Sequence, residues 1–130
     1  GEKIARLLQS AAAGGHQVRV VFVGLESAEK HIARVQARVT HGRHDIDEDT
    51  IRKRYRSSRL HLVQLVPVLD ELVVFDNSQD ADLASGQGPS LKRLLWMKGG
   101  VILHIERNLG AAEEWAKPIL AAAMALRSSR

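Results

Sequence analysis

The sequence predicts an α/β fold built on a partly parallel sheet, and three observations support this prediction. Two apolar runs rich in β-branched residues, at 18–24 and 71–77, have the composition of buried strands. The segments between them have helical periodicity, and strands that alternate with helices are expected to be parallel members of one sheet. Further on, Gly99 and Gly100 separate two strand-like segments, which indicates a β-hairpin. We expect a single domain over residues 1–130.

The chain is predicted to begin with an amphipathic helix at residues 2–13, which Gly14 and Gly15 terminate. Its apolar residues recur at helical spacing: Ile4, Leu7, Leu8 and Ala11. The strand at 18–24 follows. Because residues 20–23 are all β-branched or aromatic, we expect this strand to be buried on both faces.

A pair of helices is predicted next. Ser27 is a suitable N-cap for a helix from residue 28 to about 40, and the acidic residues 47–49 favour the start of a second helix at its positive end. Pro67 is expected to end or bend that second helix. One stripe of the second helix can face a core: Ile51, Tyr55, Ser58, Leu62, Leu65 and Leu69.

Positive charge is concentrated in this helical pair. Residues 30–69 hold nine of the 19 lysines and arginines, against four acidic residues. The arginines of the second helix project from other stripes than the apolar one, so an anchored helix presents several guanidinium groups. Such groups match phosphate oxygens in bidentate geometry. The alternative is a solvated charged face, which is the usual meaning of charge runs on helices.

The remainder of the chain is predicted to contain a loop at 78–90 and then a C-terminal hairpin and helix at about 91–127. The loop segment is rich in Gly, Ser and Asp and has no periodicity. The terminal helix contains Pro118, which could kink it.

Bulk properties exclude several classes of protein. The chain has no cysteine, which rules out disulfides and thiolate chemistry and favours a reducing compartment, so we expect a cytoplasmic protein. No apolar run approaches the roughly 20 residues of a membrane-spanning helix, so no membrane partner is expected.

Motifs for a self-sufficient active site are absent from the sequence. No GxxxxGK[ST] string is present, and the six histidines form no HExxH motif. His41 and His44 beside Asp45 have a spacing that could ligate zinc, but two histidines across a turn are weak evidence, and we predict no metal site. A helix-turn-helix that binds DNA is a further alternative, but acidic residues at 45–49 would face the phosphates, so a nucleic-acid partner is not expected.

Three segments of the sequence together resemble a known family. They read VRVVFVGL at 18–25, HIARVQARVTHGRHDIDEDTIRKRYRSSRLHL at 31–62 and LVPVLDELVVFDNS at 65–78. This series is similar to the C-terminal half of the zeta-toxin-like P-loop kinases. The later segment EEWAKPIL, at 113–120, looks like the extension of a subgroup of predicted ATPases.

The resemblance implies part of a P-loop kinase-like parallel sheet with an arginine-bearing helical lid at about 27–66. In such kinases, lid arginines neutralise charge on the transferred phosphate. The residues that match the lid pattern are Arg38 and Arg54, with Arg52 as a second candidate for nucleotide binding.

The resemblance also implies partners and a nucleotide site. ATP and magnesium would be the cofactors, and Asp76, Asn77 and Ser78 match the strand end near which the adenine is expected. Family members of the toxin type phosphorylate a UDP-linked amino sugar, so a small phosphoryl acceptor and an antitoxin protein are implied as partners.

Some positions depart from the family pattern. Arg43 stands where a second glycine is expected, and Ser57 and His61 replace an arginine and an asparagine. The phosphate-binding loop, magnesium ligand and catalytic acid of the family would precede Gly1, so the expectation is a C-terminal portion that is inactive alone. The alternative is a non-catalytic interaction or nucleic-acid-binding module that uses the basic helical pair.

Overall fold

The computed structural model describes residues 2–39, 47–79 and 91–128. Its helices and strands follow in the order α1 (Glu2–Ala13), β1 (Arg19–Gly24), α2 (Ala28–Val39), α3 (Glu48–Leu65), a 3-10 turn (Val66–Val68), β2 (Glu71–Asp76), β3 (Lys92–Lys98), β4 (Val101–Ile105), a 3-10 helix (Ala111–Ala116) and α4 (Lys117–Ser128).

The four strands form one mixed sheet in the order β1-β2-β3-β4. Strands β1 and β2 are parallel, in a register that pairs Val21 with Val73. Strands β3 and β4 are each antiparallel to the strand before them. The helical pair α2 and α3 forms the crossover between the parallel strands. This arrangement confirms the predicted α/β class and the predicted parallel pair.

Local sequence signals explain where the helices begin and end. The Ser27 hydroxyl accepts a hydrogen bond from the Lys30 amide at 3.0 Å, and the Asp47 carboxylate accepts one from the Thr50 amide at 3.3 Å. The predicted Ser27 cap is therefore confirmed, and Asp47, one of the acidic residues predicted at the start of the second helix, is the N-cap of α3. Helix α3 passes into a 3-10 turn at Val66, and Pro67 lies in that turn, as expected of a residue that cannot continue a helix.

The C-terminal part contains the predicted hairpin and helix. Gly99 and Gly100 connect β3 to β4 with φ of 59° and 75°, values that glycine adopts readily and that suit a tight hairpin turn. Pro118 is the second residue of α4. It therefore lies at the helix start, where proline is tolerated, and the predicted kink inside the helix is not observed.

The main core lies between one face of the sheet and the helices α1, α3 and α4. From the strands, Leu72, Val74, Leu95 and Met97 are almost fully buried. Helical residues pack against them, including Leu62 and Leu65 of α3 and Ile119 of α4. Burying each such side chain stabilises the fold by about 1.5–3 kcal/mol. The C-terminal half of α3 is therefore held firmly against the sheet by its buried residues.

Strand β1 differs from its prediction. We expected burial on both faces, but Val21 is 67% exposed and Val23 is 47% exposed. The prediction was wrong because consecutive apolar residues are buried on both faces only when a layer covers each face. Here Val20 and Phe22 pack against the main core, whereas Val21 and Val23 alternate with them and point to the opposite face, which the described residues leave exposed.

The helical pair has a small core of its own. Ile32 and Val35 of α2 pack with Ile51 of α3, separately from the main core. The first turns of α3 thus belong to the helical pair and its last turns belong to the main core, so α3 joins the two. Within the described ranges, no helix combines the length and the apolar character required to cross a membrane.

Candidate functional site at the carboxyl end of β1

A crevice of about 340 Å³ opens where β1 ends, against the side of α3. Ligands of open α/β sheets commonly bind beyond the carboxyl ends of the strands, so its position is that of a binding site. The lining combines cationic, hydroxyl and apolar side chains. They belong to Phe22, Val23, Gly24, Leu25, His31, Arg54, Tyr55, Ser57, Ser58, Arg59 and Trp115.

The floor of the crevice is aromatic. The ring centroids of Phe22 and Trp115 lie 6.0 Å apart in a tilted arrangement. Gly24 makes this packing possible, since a Cβ at that position would lie 2.3 Å from Cη2 of Trp115. Trp115 belongs to the 3-10 helix Ala111–Ala116, so the C-terminal segment contributes directly to the site.

One wall of the crevice is formed by Tyr55 and its neighbours on α3. The Tyr55 hydroxyl donates a hydrogen bond to the carbonyl oxygen of Leu25 at 3.0 Å. Burial raises the pKa of the Tyr55 phenol, against the opposing effect of the nearby Arg59 charge, so the hydroxyl remains a donor. This bond holds the middle of α3 against the end of β1.

Of the two predicted lid arginines, Arg54 lines the crevice and Arg38 does not. Arg38 nevertheless lies near it, because its charge acts on His31, which is a lining residue. Burial lowers the pKa of His31, and the charges of Arg38 and Arg34 lower it further. Neither Arg38 nor Arg54 forms a hydrogen bond or ion pair with the part of the chain that the structure describes.

Arg52, the second candidate for nucleotide binding, lies elsewhere. Its guanidinium forms an ion pair with Glu29 of α2. The hydrogen bond from Arg52 lowers the pKa of Glu29, and the same bond raises the pKa of Arg52. Arg52 is not a lining residue of the crevice, and its observed contact joins the two helices.

The predicted adenine-side residues Asp76, Asn77 and Ser78 are brought together with one another, but they do not line the crevice. The buried Asp76 carboxylate accepts hydrogen bonds from the Ser78 amide at 2.9 Å, the Ser78 hydroxyl at 2.8 Å and the indole nitrogen of Trp115 at 2.7 Å. Asp76 and Ser78 face a separate cavity of about 240 Å³, which Glu26, Lys92 and Glu113 also line. Both oxygens of the Asp76 carboxylate are thus engaged with Ser78 and Trp115.

Arg34 takes a position that the sequence did not predict. Its guanidinium donates to the carbonyl oxygen of Asn77 at 2.7 Å and to that of Ser78 at 3.4 Å. Through these bonds α2 is fastened to the chain just after β2. No local sequence signal distinguishes Arg34 from Arg38, because the carbonyl groups that bind it lie more than 40 positions away in the sequence.

Arg59 was also missed, although a local signal was available. Its guanidinium carbon lies 4.2 Å from the centroid of the Tyr55 ring. An arginine four residues after a tyrosine on a helix is placed to stack on that ring, so the spacing could have identified the pair.

Metal-ligating side chains are not clustered in the described part of the chain. No group of three or more His, Asp or Glu side chains is arranged there to hold a metal ion, so we assign magnesium no ligand from these residues. The weak zinc candidate formed by His41, His44 and Asp45 lies outside the described residues.

Comparison with family models, curated proteins and solved structures found no match to this chain. The functional interpretation therefore rests on the chemistry of the crevice. Of its described lining residues, three carry basic side chains and none is acidic. A site with this lining favours an anion that also carries an apolar or aromatic part.

Proposed function

We propose that this chain is the lid-bearing C-terminal portion of an ATP-dependent phosphotransferase, and that the crevice at the end of β1 receives the phosphate-bearing part of the nucleotide. The observation that carries the proposal is the position of Arg54. It lines a crevice at the carboxyl end of a parallel strand, and none of the described residues neutralises its charge.

The chemistry of phosphoryl transfer supports this assignment. Charge spreads over the oxygens of the transferred phosphoryl group, and a guanidinium placed beside it lowers the barrier most when no carboxylate competes for it. Arg54 meets this condition, whereas Arg52 is paired with Glu29. We assign Arg54 to the transferred phosphate and Arg38, which acts on the lining residue His31, to the same anionic region.

We also propose a phosphoryl donor, an acceptor and a regulatory partner, and we assign none of them a contact with a described residue. ATP with magnesium would be the phosphoryl donor, and the acceptor would be a small molecule such as a UDP-linked amino sugar. An antitoxin protein would be a regulatory partner. The resemblance to zeta-toxin-like kinases supports these assignments.

The test is to measure ATP–magnesium binding by calorimetry and phosphoryl transfer by mass spectrometry, with the full-length natural polypeptide that contains this chain. We expect Arg54→Ala to lower kcat about 100-fold or more, with little change in nucleotide affinity, because the guanidinium acts mainly in the transition state. Arg38→Ala should also lower kcat, but by a smaller factor. Arg56→Ala is the matched control, since Arg56 is an exposed arginine of α3 that does not line the crevice.

Two results would contradict the proposal. If the wild-type protein neither binds nor hydrolyses ATP, the kinase interpretation fails. If Arg54→Ala and Arg56→Ala have equal effects, the assignment of Arg54 fails.

The alternative function is nucleic-acid binding, favoured by the exposed side chains of Lys53, Arg54 and Arg56 on α3. RNA or DNA binding that weakens with rising salt would support it, provided that alanine substitution at each of these three positions lowers the affinity equally.

A further inference from the structure

Arg59 has a guanidinium group that the protein holds in place. Its Nε donates a hydrogen bond to the carbonyl oxygen of Tyr55 at 3.1 Å, and its guanidinium lies over the Tyr55 ring. Tyr55 is itself fixed, because its hydroxyl is bonded to the Leu25 carbonyl at the end of β1. A chain of contacts thus connects the Arg59 guanidinium to the sheet, and much of the entropy of ordering this side chain is already lost before any ligand binds.

The charge of Arg59 is nevertheless not neutralised by the described residues. No carboxylate pairs with it, and its two terminal nitrogens donate to none of the groups in the described ranges. Two other arginines of the helical pair differ in this respect. Arg52 is paired with Glu29, and Arg34 donates to backbone carbonyl groups after β2. Arg54 carries no such contact, but its side chain is exposed and nothing described holds it.

The surroundings of Arg59 suit a polyphosphate. Arg59 lines the crevice together with Arg54, and the hydroxyl-bearing residues Ser57 and Ser58 lie on the same wall. Phosphate oxygens accept hydrogen bonds from hydroxyl and guanidinium groups, and the planar guanidinium fork matches two of them at once. A held arginine loses little further entropy on binding, so its contribution appears mainly as ground-state affinity.

We propose that Arg59 binds a phosphate of the nucleotide that is not transferred, and so anchors the polyphosphate chain while Arg54 acts on the transferred group. This inference rests on the proposed phosphotransferase function for the identity of the ligand. The division of roles follows from the two environments. A fixed guanidinium provides affinity, whereas an exposed one can move toward charge that develops during the reaction.

The test uses the full-length natural polypeptide and two probes, inorganic tripolyphosphate and ATP, with binding measured by calorimetry. Arg59→Ala should raise the Kd of both probes about 10- to 100-fold, the range for loss of charged hydrogen bonds. Arg59→Lys keeps the charge but not the fork, so it should raise Kd by less. Arg56→Ala, which removes the same charge from the same helix away from the crevice, should leave Kd unchanged. Thermal unfolding of each variant shows whether it folds.

The outcomes separate this inference from the proposed function. A rise in Kd for Arg59→Ala with no change for Arg56→Ala supports the inference. Equal effects of the two variants, or no tripolyphosphate binding by the wild type, overturn it. If the expected binding pattern is found but the wild type transfers no phosphate, the phosphotransferase function fails, and the anion-binding role of Arg59 is supported. If transfer occurs and Arg59→Ala changes kcat but not Kd or KM, the anchoring role is wrong.

Discussion

At the scale of single residues, Asp76 shows how a polar group at a strand end can serve the fold. Its carboxylate is buried at the end of β2 and accepts three hydrogen bonds, two from Ser78 and one from Trp115. Leaving any one of these buried donors or acceptors without its hydrogen bond would lower the stability of the fold. Asp76 thereby holds Trp115, and with it the floor of the crevice.

We predict that Asp76→Asn destabilises the fold by about 1–3 kcal/mol. Each carboxylate oxygen now accepts a hydrogen bond, and the amide NH₂ that replaces one of them would face a donor and accept none. Urea unfolding followed by tryptophan fluorescence measures the change in the free energy of unfolding. Ser78→Ala is the comparison variant. It removes the hydroxyl donor but leaves the Trp115 bond intact, so its effect should be smaller. An Asp76→Asn protein as stable as the wild type would show that this network contributes little.

At the scale of elements, the contact between the end of β1 and the 3-10 helix Ala111–Ala116 shapes the site. Gly24 allows the Trp115 ring to lie directly against the backbone. Close packing of this kind leaves no room for an additional methyl group, and overpacking of a rigid ring against backbone typically costs about 1–3 kcal/mol. The C-terminal segment is therefore joined to the parallel strands in two ways, by the close packing of Trp115 on Gly24 and by the hydrogen bond from Trp115 to Asp76.

We predict that Gly24→Ala lowers the free energy of unfolding by about 1–3 kcal/mol through its clash with the outer ring of Trp115. Trp115→Phe removes the three ring atoms that the new Cβ would meet, although it also loses the indole hydrogen bond. The double variant should therefore be destabilised less than the sum of the two single variants. Additive effects in chemical unfolding would indicate that Gly24 is required for another reason.

At the scale of the whole molecule, β1 is an exposed apolar strand at one side of the sheet. Val21 and Val23 are both exposed there, and Ile4 and Leu7 of α1 are exposed as well. A strand edge with free backbone groups and apolar side chains favours pairing with another chain. The described part of the chain does not supply a strand for that side of β1.

We predict that this chain self-associates with rising concentration and that Val21→Lys reduces the association, because a lysine on an edge strand opposes strand pairing. Sedimentation velocity over a concentration series measures the effect. Leu60→Lys is the matched control, since Leu60 is 64% exposed on α3, against 67% for Val21, and receives the same charge. If both variants reduce association equally, the added charge rather than the strand edge is responsible.

Local patterns predicted most of the elements because their causes are local. The caps at Ser27 and Asp47, the glycine pair of the hairpin and the apolar stripe of α3 each depend on residues within a few positions of one another. The Tyr55–Arg59 stack has a local cause too, and its four-residue spacing could have predicted it.

Tertiary structure decided what depends on distant partners. The two-sided burial expected for β1 required a second layer over the sheet, and no spacing within the strand reports whether one exists. Arg52 and Arg54 are only two residues apart, yet one is paired with Glu29 and the other lines the crevice. The rotation of α3 against α2 and β1 determines that difference. The sequence by itself determined the α/β elements and the local excess of arginine, and the packing of the helices determined which arginines line the crevice.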